Sequence, residues 1–586
     1  MARIGTILVV FLRESFYTEI RGNVMNSFKS LSLLASAMFF SSLASVSYGQ
    51  GNPPGDPPGE TELNELSCTD PIPKYLRYGV NLDGVYQADW AYMLGRPCYD
   101  ERRLDDLLIE ADFVKLRLAG FEHVRIPISP VAFGVHDQTG KVEPSFIFKR
   151  EASNPSFSPG NWPVGYHINA QENFEALAAD IIAAQAQGLD VILDCHPWLV
   201  SQAHYDYEWK GGAGTTKPPS GTFLENFCTD GPLPIPITQN HPLPKFWSSF
   251  LAELRIHLDV LENPLCGGNV FQGIHFEALN EPMVNFWGQI SENQYGPRYS
   301  EGATNSPPSL AIHKQWMFDQ LANWKAIQAQ AIKAIYTEVD PEGSRIIVST
   351  LTNLVDSFGL TEKFPNVQGT PTYQFTPYSP SEMTAIGCPE SYSRRLIYAY
   401  HPYLPFKYTH KEPIAGIAPE YLKKRDYGDN FVAPHTSFFY RDNILESENS
   451  STRTKAMPYM FDWVGAYDNP AIIATEFGVI KRDGDPYAEP DPVPTNPTTL
   501  DVDDWQRYKW HYDLRTLMEA HNSAWTVFGY TSTWGVTGRF VYLERFNLNE
   551  NPIYHRSLTR NGGGVIHPMM IQALFSDTRP SDGNDD

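Results

Sequence analysis

Cysteine is scarce in this chain: 586 residues hold six, and none forms a Cys-x-x-Cys pair. That spacing is the commonest mark of a structural zinc site, so its absence removes one reason for a metal. The six (Cys68, Cys98, Cys195, Cys228, Cys266 and Cys388) are even in number, which leaves disulfides possible with open connectivity. Cys195, between Asp194 and His196, also reads as a small buried hydrophobe. Basic residues are outnumbered, 45 Lys and Arg against 68 Asp and Glu, for a net charge of −23. A field of that sign opposes nucleic acid and anionic membrane surfaces but is indifferent to a neutral polymer. No glycine-rich dinucleotide fingerprint follows the first strand, and Gly211 to Lys217 is glycine-rich without phosphate-loop spacing. No cofactor and no metal are expected.

Long apolar runs are missing after the N-terminal region, so no membrane anchor is expected in the mature chain. Near the start, Met25-Asn26-Ser27-Phe28-Lys29 leads into an apolar stretch through about Val46, then small or polar residues to Gly49. This order reads as an export signal over residues 1–49, with the true start at Met25 and cleavage near Gly49-Gln50. It predicts a secreted or periplasmic protein. Residues 50–67, rich in Pro and Gly from Gly51 to Glu62, read as a linker, 68–575 as one domain, and 576–586 as a loose tail. A monomer is expected.

What is present is a repeating unit: an amphipathic helix, a glycine at its end, then a strand. Leu104 to Leu118 closes at Gly120 before His123-Val124-Arg125-Ile126-Pro127, and Glu172 to Gln187 closes at Gly188 before Val191 to His196. A left-handed glycine after each helix lets the chain turn back, and the strands that follow must be parallel. The same alternation places strands at Tyr78 to Leu82, Ile274 to Glu281, Arg345 to Thr350, Leu396 to Tyr400, Ala471 to Glu476 and Ala524 to Gly529. The matching helices are at Phe246–Leu261, Leu310–Val339, Lys455–Tyr467 and Trp505–His521. Eight such units predict an α/β fold, a (β/α)₈ TIM barrel whose polar residues gather at the strand C-termini. An open doubly wound sheet is the alternative. Four βα connections are long (Pro197–Pro244, Met283–Pro308, Leu351–Tyr392 and Phe406 to about Thr454), long enough to wall a cleft. Trp198, Trp209 and Trp287 lie on them as candidate ring-stacking platforms or as loop anchors.

Two strands end in a glutamate. His275-Phe276-Glu277-Ala278-Leu279-Asn280-Glu281-Pro282 stops at a proline that cannot prolong strand pairing, and Ile472-Ile473-Ala474-Thr475-Glu476-Phe477-Gly478 delivers Glu476. Alone, each glutamate could cap a helix or pair with an arginine. Two on one barrel mouth match the carboxylate pair that hydrolyses a glycosidic bond.

Arg125, His196, Asn280 with Glu281, His401 with Tyr403, and Glu476 follow one another on successive strand ends. This set resembles the retaining glycoside hydrolases of family 5, the cellulase-like family, over roughly Tyr78 to Val536. The resemblance implies Glu281 as general acid/base, Glu476 as nucleophile, Asn280 on the sugar 2-hydroxyl, and Arg125 and Tyr403 on the nucleophile. His196 and His401 would line the site. The family's tryptophan after the eighth strand has Phe528 at the aligned position here, and Trp534 is expected to take its place. The implied partner is a polysaccharide or oligosaccharide, with endo-acting β-1,4-glucan hydrolysis first and mannan, xyloglucan or β-1,3-glucan as alternatives. A silent carbohydrate-binding barrel and a metal-dependent hydrolase are the rivals; the second wants a ligand spacing such as His-x-His, which is not present.

Overall fold

A computed structural model describes residues 76–82, 86, 110–135, 140–149, 167–196, 239–260, 270–280, 325–339, 345–349, 375–402, 461, 463–467, 469–479, 502–529 and 568–578. The chain divides into Met1–Gly59, which lies outside the described residues, and Glu60–Asp586, which holds the fold.

Ten strands are described: β1 (Tyr78–Asn81), β2 (His123–Ile128), β3 (Ile147–Lys149), β4 (His167–Asn169), β5 (Asp190–Cys195), β6 (Ile274–Glu277), β7 (Ile346–Ser349), β8 (Leu396–Tyr400), β9 (Ile472–Phe477) and β10 (Ala524–Val527). Eight of them close a barrel in the order β1-β10-β9-β8-β7-β6-β5-β2. Every barrel pairing is parallel. The predicted (β/α)₈ TIM barrel is therefore the fold, and its eight strands are the eight expected. Parallel neighbours require a crossover between them, and the helices that make it cover the outside of the sheet.

The strands are apolar on both faces because both are buried. Outward residues such as Val124, Ile126, Val191, Leu193, Ile274 and Phe276 join one core with helices Ala170–Ala186 and Pro242–Val260. Inward residues Leu76, Ile192, Ile347, Ile397, Ala399 and Ile473 form a second, smaller cluster within the barrel. Helix 325–338 adds Ile327, Ile332 and Ile335 to the outer core. The turn glycines behave as the sequence predicts: Gly120 has φ +107° and Gly188 +73°.

Three features add to the sequence reading. A small antiparallel pair, β3 with β4, precedes the helix that begins at Ala170, and nothing in the alternation pointed to it. The span Leu351–Tyr392, read as one loop, contains a helix at Pro380–Ile386 that opens on a capping box between Ser379 and Glu382. Near the end of the span read as the domain, Pro568–Phe575 is a helix the alternation did not name, with Met570, Ala573 and Leu574 buried. Its Phe575 ring stands 5.1 Å from Phe121, 5.8 Å from Trp525 and 6.1 Å from Tyr78. Beyond it, Arg515 and Tyr512 hold the carbonyls of Ser576 and Asp577. Among the described cysteines, Cys195 and Cys388 are both free and buried.

Candidate active site

The barrel interior is polar where its strands end, and the polarity has a centre. Arg125, on β2, is fully buried. Its Nε donates to Glu277 Oε2 at 2.6 Å, and Nη1 donates to Asn81 Oδ1 and to Glu476 Oε1, each at 2.7 Å. Nη2 donates to Asn280 Oδ1 and meets Asp194 Oδ2, each at 2.8 Å. A guanidinium has five N–H donors, and all five have a partner here. The groups come from β1, β2, β5, β6 and β9 and from the residue three past β6, so one side chain ties five strands together.

Three carboxylates around one buried cation set the electrostatics. Burial alone pulls against the charge on Arg125, but Asp194, Glu277 and Glu476 together lift its pKa above the ordinary value. Glu277 is raised above the usual carboxylate range because its burial outweighs the pull of Arg125, with Asp194 raising it further. Glu476 is also buried, and it stands at the rim, one residue before β9 ends.

Asn280 inherits its orientation from Arg125. A guanidinium can only donate, so the Asn280 atom it touches must be the oxygen, and Nδ2 is left to donate to His196 Nε2 at 3.1 Å. His196 then carries its hydrogen on Nδ1, which meets Asp194 Oδ2 at 2.6 Å. The backbone is fixed as well. Asn280 N donates to Cys195 O at 2.8 Å, and the buried Trp247 donates through Nε1 to Ala278 O at 2.9 Å.

On the far side, β9 carries an irregularity. Trp525 pairs with Ala474 and Val527 with Phe477, so Thr475 and Glu476 together face the single residue Thr526. A bulge of this kind lets neighbouring side chains share one face. Glu476 reaches Arg125, and Thr475 Oγ1 donates to Glu277 Oε1 at 3.1 Å. His401 Nε2 is 2.9 Å from Thr475 Oγ1, and Nδ1 is 3.7 Å from Glu476 Oε2. Burial lowers the His401 pKa to about 4, against the opposing pull of Glu476, so the ring is neutral at pH 7.

Of the residues named from the sequence, the structure brings Arg125, His196, Asn280, His401 and Glu476 together. Glu281, Tyr403 and Trp534 lie outside the described residues, as do Trp198, Trp209 and Trp287. Phe528 follows β10, buried, its backbone N donating to Phe477 O at 2.7 Å. Four residues were missed as members of the site: Asn81, Asp194, Glu277 and Thr475. Asp194, Glu277 and Thr475 all stand inside the quoted motifs, and their strand-end positions were the available signal.

Ligand atoms of Asp194, His196 and Glu476 lie within 4.8 Å of one another, close enough to suggest a cation site. The donor set does not fit one. Both carboxylates already receive Arg125, and the His196 nitrogens face Asp194 and Asn280. A metal ion there would stand against a fixed guanidinium.

No family model matches the sequence, and no curated protein matches it. Solved structures do. Cel5A of Thermotoga maritima, as a mutant form in complex with cellobiose, is 14% identical over 86% of this chain and 97% of that chain, at a TM-score of 0.40. A GH5-4 broad specificity endoglucanase from Bacteroides salanitronis is 14% identical over 86% of this chain and 93% of its own, at 0.41. The cellulose synthase subunit Z of Clostridioides difficile is 14% identical over 85% and 99%, at 0.37. The barrel of this chain stands on its own strand pairing.

Proposed function

We propose that this protein is a retaining glycoside hydrolase that opens β-glycosidic bonds of a polysaccharide by double displacement. One observation carries the reading: the Arg125 guanidinium holds Glu476 through Nη1 and Asn280, the residue before Glu281, through Nη2. The two strand ends that bear the glutamates are thereby tied to one buried cation. Held by that cation, the Glu476 carboxylate is aimed, and a neighbouring cation favours the anion that a nucleophile needs. Glu281 is assigned the general acid that protonates the leaving oxygen and then the base that activates water. Asn280, with its oxygen turned to Arg125, has an oriented amide beside the position proposed for the sugar 2-hydroxyl. The substrate assigned first is β-1,4-glucan, cleaved internally, by a chain exported through the signal at residues 1–49. A 2-fluoro-glycoside bearing an activated leaving group tests the assignment. Peptide mass mapping is expected to find the sugar on Glu476; a label on another residue, or none with turnover intact, overturns it.

A further inference from the structure

The bulge in β9 puts a hydroxyl where it bridges two titratable groups. Thr475 is fully buried, and its Oγ1 lies 3.1 Å from Glu277 Oε1 and 2.9 Å from His401 Nε2. A hydroxyl has one hydrogen to give, so with the imidazole neutral this bridge has two complete arrangements. With Glu277 ionised, Thr475 donates to Glu277 and accepts from His401, whose hydrogen is then on Nε2. With Glu277 protonated, Glu277 donates to Thr475, Thr475 donates to Nε2, and the ring hydrogen is on Nδ1. That nitrogen is the one 3.7 Å from Glu476 Oε2.

Resting on the assignment of Glu476 as nucleophile, we propose that Thr475 is a positioning residue that couples the proton on Glu277 to the tautomer of His401, and so to the hydrogen that His401 turns toward Glu476. The exchange balances. A proton entering at Nδ1 displaces the Nε2 hydrogen to Oγ1 and the Oγ1 hydrogen to Glu277 Oε1, leaving the imidazole neutral in both states. Glu277 is faced by Arg125 from β2, Asp194 from β5, His401 after β8, and Thr475 from β9. Its pKa is raised and that of His401 lowered, so the carboxyl rather than the ring stores the proton. Glu476 would then face an N–H or a lone pair according to the state of a carboxylate buried in the barrel interior.

The test uses the full chain labelled with ¹⁵N-histidine, in which long-range ¹⁵N–¹H correlations distinguish the two tautomers and His401→Asn identifies the resonance. In the wild type, His401 is expected to pass from the Nε2–H to the Nδ1–H form as the pH falls through the titration of Glu277. Thr475→Val should abolish that passage, and Thr475→Ser should retain it. Glu277→Gln, which cannot titrate, should hold one tautomer at every pH. On an aryl β-glycoside, Thr475→Val should lower kcat about tenfold and shift its acid limb, with KM little changed and Thr475→Ser near wild type. A single tautomer throughout the wild-type titration, or a passage unaltered in Thr475→Val, overturns the proposal even if a variant folds poorly. Turnover by Glu476→Ala would instead sink the nucleophile assignment and leave the tautomer result standing.

Discussion

Arg125 and Glu277 meet through Nε and Oε2 at 2.6 Å in the barrel interior, where neither side chain reaches solvent. The pair comes from β2 and β6, and it is the inner anchor of the Asn280 and Glu476 contacts nearer the rim. Removing the cation would leave three buried carboxylates facing one another. Arg125→Ala is therefore expected to lose about 3–5 kcal/mol of stability, measured by chemical denaturation. Arg125→Lys keeps the charge but not the planar fork of donors, and should fold while losing most of kcat.

The proposed catalytic pair makes a different forecast for stability. Glu281→Ala should lower turnover about 10²–10⁴-fold. Glu476→Ala should reduce it to the assay background while the melting temperature holds or rises, because one of three like charges around Arg125 has gone. Calorimetry beside an aryl β-glycoside assay checks both halves.

Gly79 owes its identity to His123. A Cβ at position 79 would stand 1.9 Å from His123 Nε2, closer than any contact allows. The ring cannot easily withdraw, since Nε2 pairs with Thr526 Oγ1 at 2.8 Å in the interior. Gly79→Ala should destabilise by about 1–3 kcal/mol or more, and adding His123→Ala should return much of the loss. A double-mutant cycle by urea unfolding reads the coupling.

Acid should unfold the barrel through its buried rings. Burial, aided by the neighbouring His275 and Arg125, lowers His123 to about 3, against about 6.5 for an unfolded histidine. The unfolded chain then binds the extra proton, so this contribution is whole above about pH 6.5 and is lost as the pH falls toward 3. His401, lowered to about 4, acts in the same direction. His123→Gln should flatten the fall in melting temperature between pH 6.5 and 4, measured by thermal scans at constant ionic strength.

Chelation should change nothing. Arg125 already contacts both carboxylates of the Asp194, His196 and Glu476 group. Activity after dialysis against EDTA is expected to equal that before it.

The barrel was legible because its signals are local. Apolar strands, helices and a glycine between them repeat within spans of a few dozen residues, and strand ends name the mouth. Glu476, Asn280 and Arg125 could be read for that reason. The network behind them could not, since Asn81 meets Thr475 across 394 positions and Glu277 meets Thr475 across 198. Nor does a strand announce a bulge: Thr475 next to Glu476 would ordinarily point away from it. The β3–β4 pair and the helix at Pro380–Ile386 hid in spans that looked like connection because each is so short.

The last helix has a consequence for synthesis. β1 cannot be flanked on both sides until β10 exists, and the aromatic floor under both waits for Phe575. A nascent chain released before β10 would keep an open seam beside β1, exposing its edge to other chains, and one released between β10 and Phe575 would close the seam without the ring beneath it. Closure of the barrel is therefore late in translation, waiting on a strand and then on an aromatic ring that lie more than 440 residues after the strand they seal.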